Sequence, residues 1–267
     1  MLTANKMKKY GKTVKRDLSK HCSFGIGGQA DVFCPSSQEG LSALLPELKK
    51  KGFHVIGGGS NILCSDKPLK NIVISLNDFI QIEQKDGFLY CGSGVTAAVL
   101  LRFSMEHGLS GFEFVAGMPA NVGGLAAMDA SFKGNKFSDV IEKTEKVENI
   151  ITAVYLRYQK SDCLSVRSAI EENIAYRKEH QEWGAKTAGC IFKNPQEDVS
   201  AGKLIDECGM KRLSKGDAMI SEKHANFIVN RGSAKAADVV YLIEKIKEEV
   251  QSKKGILLEE EIVRIEC

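Results

Sequence analysis

The stretch Phe53-His54-Val55-Ile56-Gly57-Gly58-Gly59-Ser60-Asn61-Ile62-Leu63, "FHVIGGGSNIL", decides how the rest of the chain is read. A short apolar strand runs straight into three consecutive glycines. Without Cβ atoms the backbone can curl until successive N–H groups converge on one concave anion site. Ser60 and Asn61 add side-chain donors, and a pyrophosphate suits such a cradle. A plain glycine turn between two strands is the other reading of the same residues. The spacing is neither G-x-G-x-x-G opening a helix nor a P-loop, which disfavours the common nucleotide folds.

Around this stretch, short strands alternate with short helices. "FGIGGQADVFCP" (24–35) reads as a turn and a strand, and "NIVISL" (71–76) and "FLYCGSG" (88–94) as further strands. Leu41, Leu44, Leu45 and Leu48 share one helical face closed by Gly52. A second helix runs from the N-cap Thr96 to Gly108. After a strand at 151–159 and a polar helix to 183, "SAGKLIDECG" reads as a capped helix and "HANFIVN" as a strand. Val239, Leu242, Ile243, Ile246 and Val250 form one apolar helix face, and "ILLEEEIVRI" (256–265) reads as a closing strand.

A second small-residue loop, Gly117-Met118-Pro119-Ala120-Asn121-Val122-Gly123-Gly124, lies in an apolar segment with little periodicity. It reads either as a tight turn under a helix or as backbone brought close to a flat ring. Two such loops in one half of the chain together favour a dinucleotide cofactor.

Composition narrows the partners. The chain has 267 residues, 43% hydrophobic and 27% charged, which suits a globular protein. A net charge of +3 is too small to argue for nucleic acid but suits an anionic small molecule. No run approaches the roughly 18 apolar residues of a membrane span, and the basic N-terminus lacks the apolar core of a signal peptide. A cytoplasmic protein is expected. The eight cysteines show no C-x-x-C pair, so neither a metal site nor a disulfide framework is expected.

In "SFGIGGQADVF", "VIGGGSNIL", "GFEFVAGMPANVGG", "AGCIFKNP", "AGKLIDECGMK", "ISEKHANFIVN" and "LLEEEIVRI" the chain resembles the UDP-N-acetylenolpyruvoylglucosamine reductase (MurB) family. The segments occur in the family's order and span about 23–265. The resemblance implies an α+β fold with a two-lobed FAD-binding region of the vanillyl-alcohol-oxidase (PCMH) type and a C-terminal α+β substrate-binding domain. It places the first lobe at 1–76, joined by the C-terminal strand 257–267, the second at 77–185, and the substrate domain at 186–256. It implies the compact form of the enzyme, without a long insertion, and a monomer.

Carried over by position, Gly57, Gly58, Gly59, Ser60 and Asn61 would hold the pyrophosphate of non-covalent FAD. Gly117, Met118, Pro119, Val122, Gly123 and Gly124 would line the flavin, with Arg264 as a further flavin-side contact. Lys193, Asn194 and His224 would meet a nucleotide-sugar substrate. Glu261 takes the catalytic glutamate position, leaving Glu259 and Glu260 as structural or solvated carboxylates. The implied reaction is NADPH-dependent reduction of UDP-N-acetylglucosamine enolpyruvate to UDP-N-acetylmuramate, in peptidoglycan synthesis and cell-wall biogenesis. Cys190 stands where the family has a proton-donating Ser, and a thiol of ordinary pKa near 8.5 donates a proton readily at neutral pH.

Two features depart from the family pattern. Its Tyr-Arg-x-Ser segment, whose Arg stabilises the enolate, is matched only by Tyr158-Gln159-Lys160-Ser161, with Gln for Arg. A stretch of the pattern is missing after "KVENI", and Arg157 and Arg177 are the sequence's substitutes for that charge. Asp129 and Ser131 replace the Asn and Gly usual after the second loop. The alternatives are therefore an FAD-binding relative without reductase activity, serving binding or regulation, and a flavin oxidase acting on another sugar or alcohol.

Overall fold

The computed structural model describes residues 4–196 and 198–267. The chain forms two compact units. Met1–Lys15, Asp31–Gly58 and Asn71–Arg177 make the first; Arg16–Ala30, Gly59–Lys70 and Lys178–Cys267 make the second. The architecture is α+β, with both parallel and antiparallel pairing.

In the first unit, one sheet has the order Gly11–Asp17, Gln29–Pro35, Ile72–Ser75, Phe53–Ile56. Gln29–Pro35 and Phe53–Ile56 both run parallel to Ile72–Ser75, and parallel neighbours need crossover connections. The helix Gln38–Lys51 supplies one. Ser37 caps it by accepting from the Gly40 N–H at 3.1 Å. The predicted face of Leu41, Leu44, Leu45 and Leu48 is buried with Phe33 and Ile74, each leucine contributing about 1.5–3 kcal/mol.

A second, antiparallel sheet has the order Ile141–Val147, Ile150–Leu156, Phe88–Gly92, Ile82–Lys85. Val147 and Ile150 reach the core of the first sheet, which ties the two sheets into one unit. The helix Ala97–His107 begins where expected, with the Thr96 hydroxyl accepting from Val99 N–H at 3.2 Å. It ends at Gly108 in the left-handed region, φ 59°. Leu100 and Leu101 pack with Leu89, Cys91 and Val154. The polar helix Cys163–His180 lays Ile170 and Ile174 against the same core.

The second unit is built on an antiparallel sheet ordered Lys186–Cys190, Phe227–Asn230, Ala218–Ile220, Ser214–Lys215. The helices Ala201–Glu207 and Ala236–Lys254 share its core, and the predicted face from Val239 to Val250 is fully buried. The expected strand over 256–265 is shorter than predicted. Only Val263–Ile265 pairs, in parallel with Ile62–Cys64. Residues 259–262 instead bond to 191–193, so their backbone groups are satisfied outside any ladder.

Candidate active site

In the first unit the two glycine loops meet. A Cβ on Gly57 would lie 4.0 Å from the backbone N of Gly124, and one on Gly124 would meet nothing within 4 Å. The Gly57 face thus lies in van der Waals contact with the second loop, while the Gly124 face opens on free space. Gly58 is closed on its own side: a Cβ there would stand 3.2 Å from both Asn121 Oδ1 and Pro119 O. Asn121 is buried and donates from Nδ2 to Asn77 Oδ1 at 2.9 Å, fixing the wall of the loop. A Cβ on Gly123 would lie only 2.6 Å from Ser93 Cβ, so the chain passes directly over that serine. Gly117 turns through φ 81°, and Val122, fully buried, opens the helix Val122–Ala127. Met118 packs on the core below, next to Pro119.

Ser93 is itself buried, and its hydroxyl has no partner among the described residues. An unmet buried hydroxyl is costly unless something else completes it. FAD fits these residues: a side-chain-free face at Gly124 that opens on free space, two glycine loops packed closely beside it, and an unpartnered hydroxyl below.

In the second unit Gly59 has φ 69°, and a Cβ there would collide with His21 O at 2.4 Å. Its carbonyl accepts from Ser23 N–H at 3.0 Å. Two residues on, past Ser60, Asn61 reaches the C-terminal segment. Its Nδ2 donates to Glu261 O at 2.9 Å, and its carbonyl accepts from Val263 N–H at 3.0 Å.

Cys190 ends the strand Lys186–Cys190, opposite Phe227 and half-buried, just after Gly189 at φ 78°. The residues after it are held from two sides. Asn226 accepts from Phe192 N–H at 3.0 Å and donates back to Phe192 O at 2.8 Å, while its own carbonyl accepts from Ile191 N–H. On the other side, Glu261 N–H donates to Ile191 O at 2.8 Å and Lys193 N–H donates to Glu259 O at 2.9 Å. A bridge pairs Phe192 with Glu260. This seam brings the Cys190 and Glu261 backbones together across the fold. Burial pushes the Glu261 carboxyl above the usual range, opposed by the charge of Lys193.

The remaining predicted residues divide by task. The Lys193 ammonium is exposed and pairs with Glu259. Asn194 Oδ1 accepts from Ala201 N–H at 3.0 Å, capping the next helix. His224 is largely enclosed, its ring 4.5 Å from that of Phe227 and its Nδ1 unpartnered. Burial lowers its pKa, which keeps the imidazole neutral. Arg264 forks onto Glu260, with Nε and Nη2 at 2.7 Å, and Nη2 also meets Glu244 at 2.8 Å. Those contacts give Arg264 the work of anchoring the C-terminal segment. Asn226 was not singled out in the sequence, where the signal was an amide inside the apolar run "ANFIV".

Tyr158, Gln159 and Lys160 lie at the surface of the first unit, with Tyr158 and Lys160 both bonding Gln84. Arg157 is engaged by Glu142 and by the Asp139 carbonyl. Arg177 is buried on the helix Cys163–His180 and donates to Phe114 O at 3.4 Å.

Known proteins match this arrangement along nearly the whole chain. Residues 30–149 match the FAD binding domain family. Residues 181–265 match the family described as UDP-N-acetylenolpyruvoylglucosamine reductase, C-terminal domain. The UDP-N-acetylenolpyruvoylglucosamine reductase of Heliobacterium modesticaldum is 34% identical over 275 residues, covering 92% of this chain and 88% of the relative. That of Desulfosudis oleivorans is 33% identical over 286 residues, with 92% and 91% covered. The crystal structure of UDP-N-acetylenolpyruvylglucosamine reductase (MurB) from Thermus caldophilus superposes with a TM-score of 0.80 at 30% identity. It covers 96% of this chain and 100% of that one.

Proposed function

Because the chain belongs to the UDP-N-acetylenolpyruvoylglucosamine reductase family, we propose that it reduces UDP-N-acetylglucosamine enolpyruvate to UDP-N-acetylmuramate for peptidoglycan synthesis, with NADPH as reductant. In this reading 1–76 and 77–185 are the cofactor lobes and 186–256 the substrate domain. The observation that supports it most is the seam joining 191–193 to 259–262, which puts a thiol and a carboxyl of raised pKa on neighbouring segments.

The parts then have distinct tasks. When bound, FAD supplies the hydride that the terminal enolpyruvyl carbon receives. Negative charge builds toward the substrate carboxylate as an enolate, and donors placed for that charge lower the barrier. Glu261, holding its proton more tightly than an exposed glutamate, polarises the enolate-forming group. Cys190 Sγ–H delivers the proton to the adjacent carbon, and the thiolate left behind recovers a proton from water. Lys193 and Asn194 hold the diphosphate-bearing nucleotide sugar. Neutral His224 offers Nδ1 to a polar group of the substrate.

The test is NADPH oxidation by the purified yellow protein. The reading requires a rate that depends on UDP-N-acetylglucosamine enolpyruvate. FAD binding without that dependence leaves a binding protein, and oxygen consumption with another sugar or alcohol leaves an oxidase.

A further inference from the structure

The strand pairs Ser131–Phe132 and Asn135–Lys136 form a hairpin whose two turn residues are Lys133 and Gly134. Both have positive φ, 50° and 81°, as the tight turn that matches strand twist demands. Gly, Asn and Asp suit the first of those positions. A lysine there costs free energy that the turn itself does not repay.

The hairpin sets the Lys133 ammonium 3.8 Å above the ring of Tyr176 and 5.4 Å from that of Phe132. Those two rings meet edge-on at 5.7 Å, and the guanidinium of Arg177 stacks on the far ring, 3.8 Å from the Phe132 centroid. Among the described residues no carboxylate pairs with Lys133. Its charge is held by aromatic faces and is available to an anion.

This cluster brackets the flavin loop. Asn173 and Arg177, one helical turn apart, donate to the consecutive carbonyls Glu113 O (3.1 Å) and Phe114 O (3.4 Å), in the turn that leads into Gly117. The hairpin itself follows the helix Val122–Ala127, which leaves the same loop. Entry and exit of the loop are thus tied to one cluster in the first unit.

We propose that Lys133 binds the carboxylate of the enolpyruvyl substrate and supplies the positive charge that the missing Tyr-Arg-x-Ser arginine would have given. Arg177 is a positioning residue that fixes Phe132 and the loop entry. The proposal rests on the reductase reading. The choice of carboxylate over diphosphate follows from the chemistry. The carbon that accepts the hydride must meet the flavin, and the carboxylate is attached to the neighbouring carbon. The diphosphate sits on the far side of the sugar ring. Of the two anionic groups, the carboxylate is therefore the one that a cation tied to this loop through Tyr176 and Arg177 would meet.

The experiment compares wild type with Lys133→Ala and Lys133→Arg as FAD-loaded proteins. It measures reduction of the flavin by NADPH, reoxidation by the enolpyruvyl nucleotide, and binding of that nucleotide by titration of the flavin absorbance. UDP-N-acetylglucosamine, which has the diphosphate but lacks the carboxylate, serves as a second ligand. Losing one charge-assisted contact should weaken enolpyruvyl-nucleotide binding and slow reoxidation by about ten- to a hundred-fold. Flavin reduction and the inhibition constant of UDP-N-acetylglucosamine should be unchanged, and Arg should restore most of the loss. Equal weakening of both ligands would reassign Lys133 to the diphosphate and overturn the proposal, as would no effect on either. If wild type binds the enolpyruvyl nucleotide without turning it over, the reductase reading fails, and the titration with Lys133→Ala still decides whether the carboxylate is held here.

Discussion

The backbone N–H of Glu261 donates to the carbonyl of Ile191 at 2.8 Å, and Asn61 Nδ2 donates to the carbonyl of the same glutamate at 2.9 Å. Glu261 is thus fixed through its main chain by the residue after Cys190 and by the end of the first glycine loop. Its side chain remains available for chemistry. Burial raises its carboxyl pKa, so the folded state holds this proton at a pH where the unfolded chain has released it. Stability from this group is present at low pH and is lost as pH rises through the raised value. Glu261→Gln removes that loss. Thermal melts should show the variant at least as stable as wild type at neutral pH, the two converging near about pH 4. Its turnover should fall by about 10²–10⁴-fold. A variant less stable at neutral pH would contradict this assignment.

The glycines of the cradle should separate folding from cofactor binding. Gly124→Leu meets open space, so the protein should fold with an unchanged melt but purify with little FAD. Gly59→Ala drives a Cβ into His21 O and forces a residue with a side chain to φ 69°. It should lose stability by at least about 1–3 kcal/mol. Absorbance of the purified proteins together with their melting curves checks both outcomes. Full flavin content in Gly124→Leu would remove the cradle from the cofactor site.

Asn226 carries the geometry behind Cys190. Asn226→Ala deletes two bonds to the Phe192 backbone and strands buried polar groups. A loss of about 1–3 kcal/mol is expected, read as a fall in melting temperature of about 2–4 °C per kcal/mol for a chain of this size. Reoxidation by substrate should slow with it, while flavin reduction by NADPH should not.

His224 gives a pH signature of its own. Its pKa is lowered by burial, so as pH falls below the ordinary histidine value the unfolded chain takes up a proton that the fold refuses. Stability should drop as pH falls through that value toward the lowered one. His224→Gln should flatten this acid limb below about pH 6.5. An identical limb in the variant would place the titration elsewhere.

Much of the scaffold was legible because its signals are local. Thr96 and Ser200 cap the helices they precede, and the leucine and valine faces bury as their spacing requires. The C-terminal strand came out short because alternating apolar residues cannot report that Glu259 and Glu261 bond to a segment about seventy residues away. The Asn61–Glu261 bond, across 200 residues, left no trace in composition or periodicity. Motif order did single out both Cys190 and Glu261, but not the seam that joins their segments. The hairpin at Lys133 was hidden for a different reason. Its turn carries a lysine where glycine or asparagine would have announced it, and its cation–aromatic contacts run to a helix more than forty residues downstream.

The most direct measurement is the pair of half-reactions in Cys190→Ala and Cys190→Ser, followed separately by stopped-flow absorbance. The account predicts that both variants accept reducing equivalents from NADPH at the wild-type rate. Oxidation of the reduced protein by UDP-N-acetylglucosamine enolpyruvate should fall by about 10²–10⁴-fold in Cys190→Ala and largely recover in Cys190→Ser. Unchanged reoxidation in Cys190→Ala would show that the thiol is not the proton donor and would contradict the account at its centre.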